Sequence, residues 1–581
     1  MTLPLTRRWM MAGASVAVLA IAATATLQDA SVFESTTLRS RPATTEQGLT
    51  LARPETLTAQ PNTAPIPAEP VIASESPRKI PELRFSLDVV GDTAPRPSLQ
   101  DLVPHRTIGE QGRDRFAEID PNQIKVTLEE PVSTFSVDVD TASYSFTRSA
   151  LQNGVLPQKD AVRVEELINY FSYAYQGPED RRVPFATHVS IMPTPWNEAT
   201  QLIRIGIKGY EVTPEEKPRS NLVFLLDTSG SMNQPNKLPL LKTSFRMLVE
   251  TLDPEDTVSI VVYAGSAGTV LEPTQARDKA KILAALDQLS AGGSTAGGEG
   301  IRQAYQMAEA NFDPDGVNRV ILATDGDFNV GITDIDELKG FVERKRQTGV
   351  YLSILGFGRG NYNDQLMQAL AQNGNGQAAY IDTLNEARKI LVEEASSTLF
   401  PIAKDVKLQI EFNPATVAEY RLIGYETRLL NREDFNNDKV DAGEIGSGHR
   451  VTALYEVTPV GTRGAIDGLR YQTALAPEGQ SEEYAFLKVR YKQPEADASE
   501  LISLPITRAD EASDPEAEFA AAVAAFGQLL RGGRHTGSYT YDDVIALATR
   551  SKGSDPYGYR SEFISLVRLA KVAAAQEPQR R

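Results

Sequence analysis

The run Leu222-Val223-Phe224-Leu225-Leu226-Asp227-Thr228-Ser229-Gly230-Ser231-Met232 decides the fold. Its first five residues are apolar without interruption, the pattern of a strand buried on both faces. Oxygen-bearing side chains then stand at every second position, where that strand must emerge. Residues two apart in extended chain face the same way, so Asp227, Ser229 and Ser231 can aim at one centre while Gly230 lets the loop curl.

Outward from this strand the pattern alternates. Amphipathic helices are expected over 238–252, 277–289, 298–310, 335–346 and 385–396, and apolar strands over 258–263, 319–324, 351–357 and 378–381. Strands and helices in alternation predict a doubly wound α/β domain over 218–400, its parallel sheet covered on both faces. In such a sheet ligands bind beyond the carboxyl ends of the strands, at the point where the crossovers diverge. Two further loops should reach that crevice. One is Gly292-Gly293-Ser294-Thr295-Ala296-Gly297-Gly298, which offers the Thr295 hydroxyl; the other is Ala323-Thr324-Asp325-Gly326-Asp327, where Asp325 follows a strand.

Asp227, Ser229, Ser231, Thr295 and Asp325 together form a hard oxygen shell without nitrogen or sulfur. That selects Mg2+, or Mn2+ or Ca2+, over zinc or copper. Neutral hydroxyls leave such an ion electrophilic, so an open position can accept a carboxylate from a partner protein. Asp327 and Asn329 are candidates for an outer ring, though loop polarity accounts for them equally.

These residues carry a resemblance. Asp227-x-Ser229-x-Ser231, with Thr295 in GGSTAGG and Asp325 in ATDG, resembles the metal-ion-dependent adhesion site of von Willebrand factor type A domains. The likeness extends to FSVDVDTASYS (135–145) and DAVRVEELINYF (160–171) before the domain. After it, AEFAAAVAAFGQLLR (517–531) and DPYGYRSEFISLVRLA (555–570) are similar to segments of a bacterial exported subfamily. The resemblance implies direct metal contact from the two serines, with Thr295 and the aspartates bound directly or through water. Members of that subfamily are often lipoproteins; the lack of cysteine here excludes that anchor.

Bulk properties agree with a multidomain binding protein. At 581 residues three to five units are expected. A net charge of −18, from 59 basic and 77 acidic residues, argues against nucleic acid or an anionic membrane surface as the main partner. No cysteine is present and only four histidines, which removes disulfides, thiolate metal sites and cysteine nucleophiles.

The N-terminus reads as an address. Arg7 and Arg8 precede the uncharged run Trp9–Leu27, followed by small residues, so 1–28 is expected to be an export signal or a retained membrane anchor. The pair also resembles a twin-arginine signal, although paired arginines occur in ordinary leaders. Residues 29–118, interrupted by Pro42, Pro54, Pro61, Pro65, Pro67, Pro70 and Pro77, read as a disordered linker. The rest of the chain is placed in the periplasm or cell envelope.

An N-terminal α+β segment is expected over 119–180. Within it Asp138 and Asp140 suggest a metal pair, but a solvated edge or turn-capping role suits them better. Alternating strands at 185–192, 202–207, 406–412, 418–423, 451–457, 484–491 and 501–506 predict an antiparallel β-sandwich from 181–217 and 402–508. The α/β domain would be inserted in it. Asp434, Asn436 and Asp438 have calcium-loop spacing, but Lys439 stands where glycine is needed and Ile445 where glutamate is needed, so a hairpin tip is expected. Alanine-rich helices over 509–581 should dock on the sandwich.

Enzyme motifs fail on spacing. Ser229 lacks the glycines of a nucleophile elbow, and GGSTAGG lacks the lysine of a phosphate-binding loop. The expectation is a non-enzymatic, metal-dependent protein-binding protein outside the cytoplasm. A metal-dependent envelope hydrolase and a structural envelope protein with a vestigial site are the alternatives.

Overall fold

The computed structural model describes residues 114–137, 140–293, 297–326, 335–360, 362–467, 469, 482–512 and 514–576. The export segment, the linker up to residue 113, and Asp138, Thr295, Asp327 and Asn329 lie outside the described residues.

Every residue of the Ser220–Asp227 strand is buried, and its side chains divide by parity. Leu222, Phe224 and Leu226 pack with Leu241, Phe245 and Leu248 of the Leu238–Thr251 helix. Val223 and Leu225 face the other way, onto Ile301, Ala304 and Tyr305 of the Gly297–Ala310 helix. A strand with helices on both sides has no wet face, which explains the unbroken apolar run.

The six-stranded sheet runs in the order Ala378–Ile381, Val350–Phe357, Val317–Thr324, Ser220–Asp227, Thr257–Ala264, Ser266–Gln275. Its first five strands are parallel. From Ser220–Asp227 the chain steps to Thr257–Ala264 on one side, then crosses to Val317–Thr324 on the other. The crossovers therefore diverge at the carboxyl ends of the two central strands, the position where such sheets bind ligands.

Three local features differ from the sequence reading. The Ser266–Gln275 strand was not expected; it returns antiparallel along Thr257–Ala264 after Gly265, whose φ of +69° suits the tight reversal. It is an exposed edge bearing Pro273, so it carries little apolar periodicity. The helix expected over 385–396 is instead broken into Leu384–Arg388, a π-helical turn Lys389–Glu393, and Ala395–Leu399. Asp227 itself is the last residue of its strand rather than the first beyond it.

The alternating segments form two antiparallel sheets. One has the order Lys125–Val126, Val417–Ile423, Arg450–Pro459, Gln201–Gly209, Phe185–Pro193; the other runs Gly443–Gly446, Pro401–Phe412, Glu483–Lys492, Ser499–Thr507, with Val132–Ser136 also on Pro401–Phe412. Ile203, Ile205 and Tyr455 of the first sheet and Leu408, Ile410 and Leu487 of the second share one core. Strands from 119–180 thus join both sheets.

The helices Pro515–Leu530, Tyr541–Arg550 and Tyr559–Gln576 cover the opposite face of the first sheet, where Phe519, Phe526 and Phe563 pack with Leu202, Ile423 and Leu454. Asp514 starts the first of them by accepting the Ala517 N–H at 2.7 Å, and Pro515 follows at the first helical position.

Asp140 corrects the expectation of a solvated or capping carboxylate. It is buried, accepting the Ala378 N–H at 2.8 Å and an Arg428 N–H at 3.0 Å, and so links the N-terminal segment to the α/β unit and a sheet loop. Buried arginines reinforce that junction. Arg148 donates to Glu386 at 2.7 Å and to Asp382 and Glu562; Arg163 donates to Asp364 at 2.7 Å and also pairs with Glu166. Residues 114–118, the end of the expected linker, lie against the same unit, with the Asp114 carboxylate accepting the Gly360 and Tyr362 N–H groups. In the calcium-like loop, Asp434 accepts from Asn431 while Asp438 accepts from Arg490 and Ser499.

Candidate metal centre at the carboxyl end of the parallel sheet

Asp227 ends the central strand fully buried, and three donors fix its carboxylate. Oδ1 accepts the Ser229 N–H at 2.8 Å; Oδ2 accepts the hydroxyls of Thr324 at 3.2 Å and Tyr263 at 3.3 Å. Both hydroxyls stand at the ends of flanking strands, Tyr263 directly opposite Asp227 in register. The loop then turns so that the Ser229 and Ser231 Oγ atoms lie 2.9 Å apart. The two serines therefore come together, but through a 3-10 turn at Gly230–Met232 and not through the extended chain expected from their spacing.

Backbone bonds hold this loop to its neighbours. Thr228 N–H donates to Tyr263 C=O at 3.2 Å, Gly230 N–H to Gly293 C=O at 3.1 Å, and Gly292 N–H to Thr228 C=O at 2.8 Å. Gly292 and Gly293 begin the glycine-rich loop that carries Thr295, itself outside the described residues. Asp325 is buried just past the Val317–Thr324 strand. The turn after it requires glycine, since Gly326 has φ +91° and a Cβ there would sit 2.5 Å from Tyr362 Cα.

Burial pushes the Asp227 carboxyl up to about 6, and the neighbouring Asp325 charge adds to that effect despite the hydrogen bonds opposing it. The compensating cation is Lys237, whose Nζ is 2.9 Å from Asp325 Oδ2, with both side chains almost fully buried. Lys237 precedes the Leu238–Thr251 helix and its stem runs against Gly358, where a Cβ would lie 2.3 Å from Lys237 Cε. Sequence reading missed Lys237, Tyr263 and Thr324. The two hydroxyl residues could have been found as strand ends beside Asp227; no local signal marks the lysine.

The donors fit a hard divalent cation. Two carboxylates and the two serine hydroxyls would offer such an ion oxygen ligands only, and among the described residues Lys237 is a competing positive charge. Two carboxylates against one ammonium amount to one formal negative charge, so a divalent ion would leave one formal positive charge at the site.

Family models and relatives match the chain along much of its length. Family models match as "von Willebrand factor" over 110–204, "von Willebrand factor type A domain" over 221–393, and "Uncharacterized protein YfbK, C-terminal" over 397–572. An Escherichia coli (strain K12) protein, "Uncharacterized protein YfbK", is 45% identical over 471 residues, 80% of this chain and 82% of its own. A Synechocystis protein, "Uncharacterized protein sll0103", is 32% identical over 186 residues, 32% of this chain and 43% of its own. A solved structure described as "von Willebrand factor type A from Catenulispora acidiphila" gives a TM-score of 0.36 at 17% identity, covering 66% of this chain and 89% of that one. Matched along most of its length to the Escherichia coli protein, the chain belongs to the YfbK family of von Willebrand factor type A domain proteins.

Proposed function

We propose that this chain is an exported, non-enzymatic protein that binds an acidic residue of a partner protein through a divalent metal ion, as an adhesion or scaffold component. Asp227, Ser229, Ser231, Thr295 and Asp325 would hold the metal, with Mg2+ preferred over Mn2+ or Ca2+. Domains of the von Willebrand factor A type commonly mediate protein–protein interaction. The observation that carries the reading is the buried Asp227 carboxylate beside two serine hydroxyls 2.9 Å apart, at the sheet end shared with Asp325. A bound ion would supply an electrophilic position for a carboxylate, and the formal positive charge then left at the site favours an anionic partner group.

Residues 181–217 and 402–508 are read as one sandwich into which 218–400 is inserted. Antiparallel pairing of Gln201–Gly209 with Arg450–Pro459, across the whole intervening unit, supports that reading. Export rests on the uncharged run after Arg7 and Arg8, and N-terminal sequencing of the protein from an envelope fraction tests both placement and cleavage.

Calorimetry of the full chain with MgCl2 tests the metal. Saturable binding by the wild type, lost in Asp227→Ala, is expected; no heat at millimolar metal would sink the proposal. A phosphatase and esterase panel should register no turnover, and metal-dependent turnover would favour a hydrolase instead.

A further inference from the structure

A cavity of about 330 Å3 lies at the junction of the α/β unit, the antiparallel sheets and the N-terminal helical segment. The broken helix around 390–397, the turn at 447–450 and residues of 169–172 form its walls. Cavities at junctions between structural units are favoured places for small ligands.

Among the described residues the carboxylates lining this cavity each have an ion-pair partner, whereas Arg450 is near enough to Glu211 to act on its charge but forms no ion pair with it. Glu394 is held by Lys389, Glu211 by Lys208 at 2.8 Å, Glu393 by Arg388 at 3.0 Å and Tyr559 Oη at 3.0 Å, and Asp140 by Arg428 at 3.0 Å. Arg450 makes no ion pair or side-chain hydrogen bond among the described residues, and its Nε is buried without a partner. The adjacent His449 has a buried Nδ1 likewise without a partner. Burial, together with the Lys389, Arg450 and Lys208 charges, pushes that imidazole down to about 4, so it is neutral at physiological pH and contributes a hydrogen-bonding atom rather than charge. Ser447 Oγ accepts the Val212 N–H at 2.9 Å, which leaves its own proton to donate.

A guanidinium with unused donors matches carboxylate geometry. The surrounding glutamates, though paired, disfavour a second negative charge. We propose that this cavity is a binding site for the carboxylate of a small polar organic acid, anchored by Arg450 with His449 and Ser447 as hydrogen-bonding neighbours. The carboxylate can belong to a free acid or to a peptide C-terminus, and the volume accommodates about ten non-hydrogen atoms, the small end of ligand cavities.

Calorimetry of the full chain in chelator excludes any metal-bound carboxylate at the Asp227 end. The probes are N-acetylalanine, acetyl-tetraalanine, N-acetylalaninamide and inorganic phosphate. Saturable binding of N-acetylalanine identifies a free-acid site; binding of acetyl-tetraalanine alone identifies a chain-terminus site, and either supports the proposal. Arg450→Gln should weaken that binding about ten- to hundredfold, as expected for losing a charge-assisted hydrogen-bond pair. Where the variant does not fold, the neutral amide on the wild type decides, because it should not bind. Equal binding of amide and acid, phosphate binding as tight as the monocarboxylates, full affinity in Arg450→Gln, or no binding of either monocarboxylate at 20 mM would each overturn it.

Discussion

Asp227→Asn should stabilise the metal-free protein at neutral pH while abolishing its response to metal. In the fold the Asp227 carboxyl is raised from 3.8 to about 6. That displacement of about two pH units corresponds to roughly 3 kcal/mol, at about 1.4 kcal/mol per unit. Because the folded state holds this proton more tightly than the unfolded chain, its contribution to stability is fully present below about pH 4. It is lost as pH rises towards 6, and above that the ionised carboxylate carries a constant cost. The amide keeps an oxygen for the Ser229 N–H but presents NH2 to the hydroxyls of Tyr263 and Thr324, at a cost of about 1 kcal/mol. The net expectation is a variant more stable by about 1–2 kcal/mol at pH 7.5 in chelator. Denaturant melts of both proteins from pH 4 to 8, with EDTA or with MgCl2, give the difference directly. Their gap should open between about pH 4 and 6 and stay flat above. Added MgCl2 should raise the wild type alone, since only a site that binds the native state gains stability by mass action. A variant less stable than wild type at pH 7.5 in EDTA, or a gap independent of pH, would refute the reasoning.

Other perturbations test neighbouring parts of the same structure. Lys237→Met leaves Asp325 without its buried ammonium, so the metal-free protein should lose about 3–5 kcal/mol, while the absence of a competing cation should raise Mg2+ affinity about tenfold or more by calorimetry. Ser229→Ala combined with Ser231→Ala should remove Mg2+ binding with an effect of no more than about 1 kcal/mol on the melt in EDTA, because the two hydroxyls bond each other and are removed together. Arg148→Met strands Asp382 and Glu386 in a buried junction and should cost about 3–5 kcal/mol in denaturant unfolding. Gly326→Ala, at φ +91° and against Tyr362, should destabilise by at least about 1–2 kcal/mol and weaken metal binding by displacing Asp325.

Much of the architecture was legible because it is written in local periodicity. The unbroken apolar run Leu222 to Leu226 announced two covered faces, and the stripes of the Leu238–Thr251 and Gly297–Ala310 helices supplied those covers. The alternating segments gave the antiparallel strands. The Ser266–Gln275 edge strand escaped because an exposed strand needs no apolar face. Asp140 was misread because its partners, Ala378 and Arg428, lie hundreds of residues away.

The same division runs through the candidate site. By itself the sequence indicated that Asp227 and Asp325 stand at the ends of neighbouring strands, which follows from strand geometry over a few residues. The tertiary structure brings Ser229 and Ser231 together through a turn at Gly230–Met232 rather than through extended chain. Only the tertiary structure decided that Tyr263 and Thr324 lock the Asp227 carboxylate and that Lys237 neutralises Asp325. It also decided that Arg450 Nε has no partner among the described residues at a junction of three chain segments. The physical reason is that charge compensation and burial act through space, between groups whose separation along the chain carries no periodic signal.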